Sequence, residues 1–426
     1  MRSKTLLLCA GLIAATLNTA HAQEAAPAAD TKLSLEAAIR QTLTYSPKLK
    51  AGLEGIGVSR GERQQSGLIP NPEFSAEAEN FAGTKSAKGF DAAEVTLGVA
   101  QPIEMGGKRS ARIKAADMQM SIADLELRAT ALDLVRDTTV AWAEAVAAHE
   151  EVEVAQNQQE LAEDVLQSVA RRVAAAAEPA IQQSKSEVAL ASSKIALQKA
   201  ERNLEAAMKN LARMWGQDAV DYQIDEDSFF TTQDVQGKPS LENNPDVKLL
   251  QAGIGLAGAN LDVEKANAVP DVTVGAGIRD SRGDDSQAFV ASLSIPFPVF
   301  NRNQGNIMKA GHEVAKAEHQ KTAAVQEIEL ELVRVQNALQ TSRLEIESLE
   351  KSIVPAAEKS FALAKKGYTA GKFPYLEVLD AQRTLADVHM QHVSALKDYH
   401  IAQAQFDRLT GKNVDLLNAY GDKNAQ

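Results

Sequence analysis

The sequence has little cysteine, few aromatic residues and no long hydrophobic run beyond its N-terminus. Cys9 is the only cysteine among 426 residues, and aromatic residues make up 4% of the chain. Residues 1–22 combine positive charge at Arg2 and Lys4, a short apolar stretch and a small-residue cleavage site, which predicts a secretory signal peptide. Once it is removed the chain has no thiol, which excludes disulfides and cysteine metal sites.

Other absences exclude further classes of protein. Beyond the signal peptide no stretch of about 18 apolar residues occurs, so helical membrane spans are excluded. The net charge of −12 argues against a nucleic-acid partner and against electrostatic docking on anionic lipid. Few aromatic side chains and abundant alanine predict long helices that pack closely through small residues.

What the chain does contain is an internal two-fold repeat. Four short segments of the first half return in the second half at offsets of about 195–200 residues, far longer than the units of solenoid proteins. We interpret this pattern as a duplicated half-protein. The matching segments are residues 46–49 and 244–247, 68–71 and 268–271, 101–103 and 295–297, and 211–216 and 406–411.

The residue patterns predict the same order of elements in both halves. Continuous helices are expected over residues 34–67, with Ser34 as N-cap, over 108–173 and over 303–366. The predicted segments are a signal peptide (1–22), an N-terminal linker (23–33), a first repeat (34–216) with a β-hairpin at 72–103 and a helical tip near 171–181, an equatorial connection (217–244), a second repeat (245–411) with a β-hairpin at 271–299 and a tip near 366–376, and a C-terminal tail (412–426).

The two hairpins predict four strands with one apolar face each. Phe74, Ala76 and Ala78 alternate with polar residues, and the other three segments alternate in the same way, with a polar loop expected over residues 280–286. Strands of about 9–11 residues can cross a bilayer when tilted. An open sheet edge is not tolerated in lipid, so four strands per chain would require several chains to close a barrel.

The helix lengths suggest how the helices are arranged. Each half has one helix of about 65–70 residues, roughly 100 Å long, and two shorter ones whose lengths sum to nearly the same value. We therefore predict that two short helices stack end to end beside each long helix, with the equatorial connection at mid-length. Leucines at heptad spacing predict coiled-coil-like packing, as at Leu190, Leu197 and Leu204.

With these features the chain resembles the TolC-like family of outer-membrane efflux ducts over almost all of its processed length. Several strings are similar to the CzcC-like cobalt-zinc-cadmium branch of that family. They are residues 67–73 (GLIPNPE), 79–80 (EN), 101–109 (QPIEMGGKR) and 297–305 (FPVFNRNQG).

The resemblance implies a fold that is mainly α with a small β part. It implies a homotrimer with four strands per chain, whose transmembrane β-barrel in the outer-membrane lipid continues as a long α-helical barrel across the periplasm. It also implies a tripartite efflux system, with a periplasmic adaptor and an inner-membrane RND-type transporter as partners. The subunit would be a passive exit duct for cobalt, zinc and cadmium ions, and neither an enzyme nor the holder of a cofactor or resident metal.

The tip near 366–376 is similar to the helical tip that forms the family's periplasmic entrance. The resemblance assigns Glu377 and Asp380 to the gate; they share a helix face, so a trimer would carry rings of negative charge that attract cations. A solvated helix face or a salt bridge at the tip is the alternative. In the first-half tip, alanine stands in place of the family's glycine. The adaptor-contact tip is assigned to Gly367, Tyr368, Gly371, Leu376, Arg171, Arg172 and Val173.

Other interpretations remain open at this point. The same architecture could serve drug efflux or type I protein secretion, since only the branch-like strings favour metals. A periplasmic coiled-coil scaffold or adaptor should lack the four strands, and no motif supports a periplasmic enzyme. Two histidine pairs have helix-face spacing, but we expect His392 to be a packing residue rather than a ligand. Four helix glycines are expected at close helix contacts, namely Gly55, Gly57, Gly253 and Gly255.

Overall fold

The computed structural model describes residues 32–218, 223–232 and 240–412; the predicted signal peptide, the linker up to residue 31 and the tail beyond residue 412 lie outside them. The described part is mainly α with one small antiparallel sheet, as predicted. Its elements in chain order are α1 (Leu35–Tyr45), α2 (Pro47–Ser66), β1 (Glu73–Glu79), β2 (Glu94–Ile103), α3 (Lys108–Ala174), α4 (Ala180–Arg213), α5 (Pro245–Asn267), β3 (Val272–Ser281), β4 (Ser286–Ser294), α6 (Gln304–Ser348), α7 (Val354–Thr369) and α8 (Tyr375–Thr410).

The helix predicted over residues 34–67 is broken in the structure. It divides at Ser46, whose ψ of 125° ends α1. The cause is Pro47, because a proline ring disfavours the helical conformation of the preceding residue and is well placed only at a helix start. The predicted N-cap is present, since the Ser34 side chain accepts a hydrogen bond from the Ala37 amide at 3.3 Å.

The helix predicted over residues 303–366 is also interrupted. A π-helical turn at Leu349–Ile353 separates α6 from α7. Pro355 follows at once, and it has no N–H group for the carbonyl four residues earlier, which disfavours regular α-helix there. The sequence prediction missed this turn because the heptad rows continue through it.

The four strands form one sheet in the order β1-β2-β3-β4. Its register places Phe74 opposite Val99, Val99 opposite Ala276 and Ala276 opposite Ala291, so the apolar residues of all four strands share one face. The turn between β3 and β4 is shorter than the predicted loop 280–286. Residues 280 and 281 instead continue the ladder opposite residues 287 and 286.

The two faces of the sheet differ in exposure. On the apolar face Val95, Leu97 and Val99 are 39%, 49% and 52% exposed. On the polar face of the same strand, Glu94, Thr96 and Gly98 are all partly shielded, as are the polar-face residues of β3. This difference indicates that the sheet curves toward its polar face, which is therefore concave.

The shorter helices meet end to end beside the long ones. A Cβ placed on Gly216, just after α4, would lie 3.6 Å from the ring of Pro47, where α2 begins. In the second half the Asn244 amide donates to the Leu409 carbonyl near the end of α8 at 2.8 Å, and its side-chain oxygen caps α5. The lengths of the helices had predicted this stacking.

The main core lies at this junction, near the middle of α3. Phe229 of the connection is fully buried and packs its ring 6.2 Å from the buried ring of Trp142. Leu33 and Ile224 form an isolated bridge beside it. Small residues fill much of the interface around Trp142, including Ala141, Ala143, Ala145 and Ala147.

Within one chain, most of the glycines that were predicted to lie at close helix contacts make no such contact. A Cβ on Gly55 or Gly253 would meet nothing within 4 Å, and one on Gly57 would reach only a side-chain oxygen of the same helix. A Cβ on Gly255 would make only an ordinary van der Waals contact with the Met118 sulfur. The close approach is at Gly52 instead, where a Cβ would lie 2.8 Å from the Leu127 side chain.

Candidate functional site

Two helical turns lie together at the end of the molecule farthest from the sheet. The first joins α3 to α4 and the second joins α7 to α8, and both are closed by the same three backbone hydrogen bonds. In each turn the donor residues stand 195 positions apart. The bonds run from Ala175, Ala176 and Ala177 to the carbonyls of Arg171, Val173 and Arg172, and from Ala370, Gly371 and Lys372 to those of Lys366, Tyr368 and Gly367.

The alanine that replaces glycine in the first turn keeps the shape of the second. Ala176 has φ +54°, and Gly371 at the matching position has φ +71°. A non-glycine residue in this left-handed region costs roughly 1–2 kcal/mol. Gly367 is needed for a different reason: a side chain there would overlap the ring of Phe373, which lies directly over it.

Arg172 joins the two turns. Its guanidinium lies 4.8 Å from the centre of the Tyr368 ring, donates to the Tyr368 carbonyl at 3.1 Å and lies 3.4 Å from the Glu178 carboxylate. The carbonyl is at the C-terminal end of α7, where a cation is favoured by the helix dipole. Two of these contacts, both to Tyr368, connect the first hairpin to the second, and the third, to Glu178, lies within the first hairpin.

An apolar cluster lies beneath Arg172 and holds the hairpins together. Burial raises the pKa of Tyr368, and the nearby Glu178 charge adds to this effect, so the phenol is neutral at physiological pH. Burial likewise raises the pKa of Tyr375, whose ring centre is 6.2 Å from that of Tyr368. The cluster comprises Val165, Val169, Phe361, Ala364, Tyr368, Tyr375, Val378 and Ala381.

The structure brings the predicted tip residues to one end of the molecule but divides them by exposure. Glu377 and Asp380 are exposed in the first turns of α8. Of the predicted adaptor-contact residues, Gly367 and Tyr368 are buried, Arg172 and Val173 are partly shielded, and the rest are exposed, namely Arg171, Gly371 and Leu376.

Sequence reasoning missed three tip residues that shape these turns. Phe373 covers Gly367, Glu178 pairs with Arg172, and Tyr375 packs under Tyr368. In a chain with so few aromatic residues, Phe373 and Tyr375 beside a glycine turn were a signal that could have been used.

The concave face of the sheet carries a charged group at the end farthest from the helices. Glu79 and Glu94 are directly opposite each other in the β1–β2 ladder. The Arg279 guanidinium on β3 lies 3.8 Å from Glu79 and 3.5 Å from Glu94, and its Nε donates to the Thr96 hydroxyl at 3.1 Å. One arginine therefore bridges two facing carboxylates.

Except for residues 79–80, the strings that resemble the metal branch lie at the elbows between sheet and helices. Gly106 and Gly107 both have positive φ, and Gly107 is the N-cap of α3. Arg109 donates to the Gly67 carbonyl at 2.6 Å, and Lys108 pairs with Asp271 at 2.7 Å. These residues direct the chain from strand to helix.

The second elbow is built in a similar way. Asn303, the N-cap of α6, has φ +60° and so matches Gly107. Its amide donates to the Glu264 carbonyl at 2.8 Å and to the Glu264 carboxylate at 2.6 Å. The branch-like strings therefore have a structural role in both halves.

The junction at mid-length holds several buried ionisable groups. Arg408, 8% exposed, pairs with Asp246 through two nitrogens at 2.9 and 3.0 Å and with Asp133 at 2.7 Å. Burial is the largest cause that raises the pKa of Glu150 to about 8, followed by the hydrogen bond to Glu226 and that residue's charge. Burial and the neighbouring Glu226 carboxylate therefore favour the protonated form of Glu150, where α3 approaches the connection.

The histidine pairs lie on helices, and the surroundings are clearest for His392. His392 lies against Glu350 of the π-helical turn, with Nε2 at 3.3 Å from the carboxylate, and near the Phe230 ring at 6.5 Å. Across residues 32–218, 223–232 and 240–412 no three His, Cys, Asp or Glu side chains are grouped to hold a metal ion. In the same ranges, every helix falls short of the length or apolar character that a membrane span needs.

Comparison with known proteins gives a consistent result. The profile of the family described as "Outer membrane efflux protein" matches residues 38–217 and 238–412. The cobalt-zinc-cadmium resistance protein CzcC of Cupriavidus metallidurans is 30% identical over 388 residues, which cover 89% of this chain and 90% of that protein. The nickel and cobalt resistance protein CnrC of the same organism is 29% identical over 66% of this chain and 67% of its own length.

The fold also matches solved structures. The outer membrane protein VceC from Vibrio cholerae superimposes with a TM-score of 0.72 at 20% identity, covering 88% of this chain and 96% of that chain. A structure of CusC superimposes with a TM-score of 0.75 at 17% identity and covers 88% and 91% of the two chains. At these identities the likeness establishes the fold.

Proposed function

The chain belongs to the outer membrane efflux protein family, and from this premise we propose that it is the outer-membrane exit duct of a tripartite RND-type system that exports heavy-metal cations. Membership places it in the outer membrane, with its helices extending into the periplasm. Cobalt, zinc and cadmium ions are the proposed cargo, and a periplasmic adaptor and an inner-membrane transporter are the proposed partners. The subunit performs no chemistry in this scheme.

The sheet supports a trimer that closes a β-barrel. Both β1 and β4 are edge strands of the described sheet, and edges with unpaired backbone groups are not stable in lipid. The convex apolar face suits contact with lipid, and the concave polar face suits a water-filled lumen. Three copies in a ring would pair each β4 with the next β1 and give twelve strands.

The helices support the same assembly. Ile181, Val188 and Ile195 are spaced by seven residues along α4 and are 59%, 66% and 67% exposed. Leu330 and Leu344 on α6 are similarly exposed, at 54% and 65%. Apolar heptad positions left open in one chain suit coiled-coil packing against neighbouring copies, which would complete the α-helical barrel.

The similar halves support a gene duplication. The two turns at the tip share their hydrogen bonds, and the two elbows share a left-handed N-cap at Gly107 and Asn303. We propose that both halves contribute equivalent hairpins to the barrel, and that the second-half hairpin, with Glu377 and Asp380, lines the periplasmic entrance.

The metal assignment rests mainly on the similarity to CzcC over nearly the whole chain. The branch-like strings at residues 101–109 and 297–305 give it no chemical support, because they build the elbows rather than a cation site. Exposed carboxylates at the tip would favour cations over anions but do not distinguish one metal from another.

Deleting the gene tests the cargo directly. We expect tolerance to at least one of Zn²⁺, Co²⁺ and Cd²⁺ to fall severalfold, while tolerance to a panel of drugs is unchanged, because the duct serves a metal-specific pump. The measurement is the growth-inhibitory concentration with and without a plasmid that carries the wild-type chain. A loss of drug tolerance with metal tolerance intact would show that the duct serves a different pump.

The acidic tip makes a second prediction. In the double variant Glu377→Gln, Asp380→Asn, six carboxylates are lost from the trimer's entrance, and we expect the cation-to-anion permeability ratio to fall at least about twofold. The ratio is obtained from the reversal potential of purified channels in a planar bilayer under a salt gradient. Glu187→Gln is the matched control, since it neutralises an exposed acid on α4. Selectivity equal to wild type would remove both residues from the gate.

A further inference from the structure

The charged group on the concave face of the sheet has a property that the duct function does not explain. Glu79 and Glu94 are opposite residues of neighbouring strands, and like charges in that relation repel each other. Arg279 lies within 4 Å of both carboxylates and so offsets the repulsion. It is the only basic residue in the four strands.

The position of this group along the strands matters. The connection between β1 and β2 and the turn between β3 and β4 lie at the end of the sheet farthest from the elbows. Arg279 is two residues from the end of β3, and Glu79 and Glu94 are the residues that flank the β1–β2 connection. In the trimer of the proposed function, the group therefore lies on the lumen wall at the external mouth.

A pair of facing carboxylates without Arg279 would have the character of a divalent-cation site. Carboxylate oxygens bind divalent cations, Zn²⁺ among them, and three copies would repeat such a pair around the mouth. Conduction needs ions to leave a pore wall as readily as they arrive, so a site that holds its cation slows the flow. In an exit duct for divalent cations, such a site would therefore bind the exported ions themselves and slow their release.

We propose that Arg279 is a specificity-determining residue: it acts as the built-in counterion of Glu79 and Glu94 and keeps exported divalent cations from being retained at the mouth. The guanidinium occupies the place that a cation from solution would take. Its hydrogen bond to Thr96 holds it over the pair. The inference rests on the proposed function for its location in a lumen.

The test is divalent block of purified channels in a neutral planar bilayer. Zn²⁺ or Cd²⁺ is added on the side of the bilayer that the external mouth faces. The current carried by monovalent ions is then recorded for wild type and Arg279→Gln. We expect Arg279→Gln channels to be half-blocked at a concentration about tenfold or more below that needed for wild type. Arg279→Lys should stay close to wild type, because it keeps the charge.

Two further variants separate this role from a general change of charge. Glu94→Gln combined with Arg279→Gln removes one ligand of the pair and should abolish the added block. Arg282→Gln makes the same charge change on an exposed residue of the β3–β4 turn and should leave the block unchanged. Block that is the same in Arg279→Gln and wild type would overturn the proposal, as would equal block in Arg282→Gln. If the wild-type protein forms no channel in the bilayer, that result would instead count against the proposed function.

Discussion

Replacing Arg408 by methionine should lower the free energy of unfolding by about 2 kcal/mol, because it removes a buried guanidinium that donates hydrogen bonds to two half-exposed carboxylates. The Arg408 side chain is 8% exposed, and it joins α8 to α5 through Asp246 and to α3 through Asp133. Without it, two carboxylates face each other across the junction of three helices. The measurement is thermal or denaturant unfolding of the detergent-solubilised protein, followed by far-ultraviolet circular dichroism.

The internal repeat offers a matched control. Arg213 stands 195 positions earlier at the corresponding end of α4, but it is exposed, and Lys48 occupies the place that Asp246 has in the second half. Arg213→Met should therefore change stability by no more than about 0.5 kcal/mol. Asp246→Asn should lower the free energy of unfolding less in the Arg408→Met protein than in wild type, because the two side chains interact directly. Equal effects of Arg408→Met and Arg213→Met would contradict this account.

Gly106→Ala should destabilise the protein by about 2–5 kcal/mol, through two costs that add at one residue. Its φ of +69° is strained for alanine, at roughly 1–2 kcal/mol. The new methyl would also lie 2.6 Å from Cβ of Val269 and 3.1 Å from the Ala266 carbonyl, and overpacking typically costs about 1–3 kcal/mol. The measurement is the melting temperature and the amount of folded protein recovered from outer membranes.

The neighbouring glycine separates the two costs. Gly107 has φ +73°, but a Cβ there would approach only the Ser110 hydroxyl, at 3.3 Å. Gly107→Ala should show the strain alone and lose clearly less stability than Gly106→Ala. Because the elbow residues of the proposed duct contact one another, the metal tolerance conferred by any Gly106→Ala protein that reaches the membrane should be unchanged. A changed preference at normal abundance would mean that these strings act on the metal after all.

Much of the fold followed from the patterns in the sequence. Period-two alternation predicted the strands, and the register then placed Phe74, Val99 and Ala276 on one face. Helix lengths predicted the stacking that is seen at Gly216 and Pro47. These features depend on local periodicity and on counting residues, which need no knowledge of distant contacts.

The remainder depended on contacts between distant parts of the chain. Arg172 reaches Tyr368 across 196 positions, and Arg279 reaches Thr96 across 183, and no local pattern signals either contact. The branch-like strings at the elbows indicated the correct relatives for a reason that was structural rather than chemical. The gate assignment of Glu377 and Asp380 stays a prediction, because a ring of charge is a property of several chains.

The π-helical turn at Leu349–Ile353 gives the lower part of the second hairpin a mechanical property. Below it α7 has 16 residues, which makes a lever about 24 Å long. A bend of about 10° at the turn would swing the lower end of that lever by roughly 4 Å. Because the bend is confined to one turn of irregular helix beside a proline, the tip of the second hairpin can shift sideways while α6 and α7 keep their backbone hydrogen bonds.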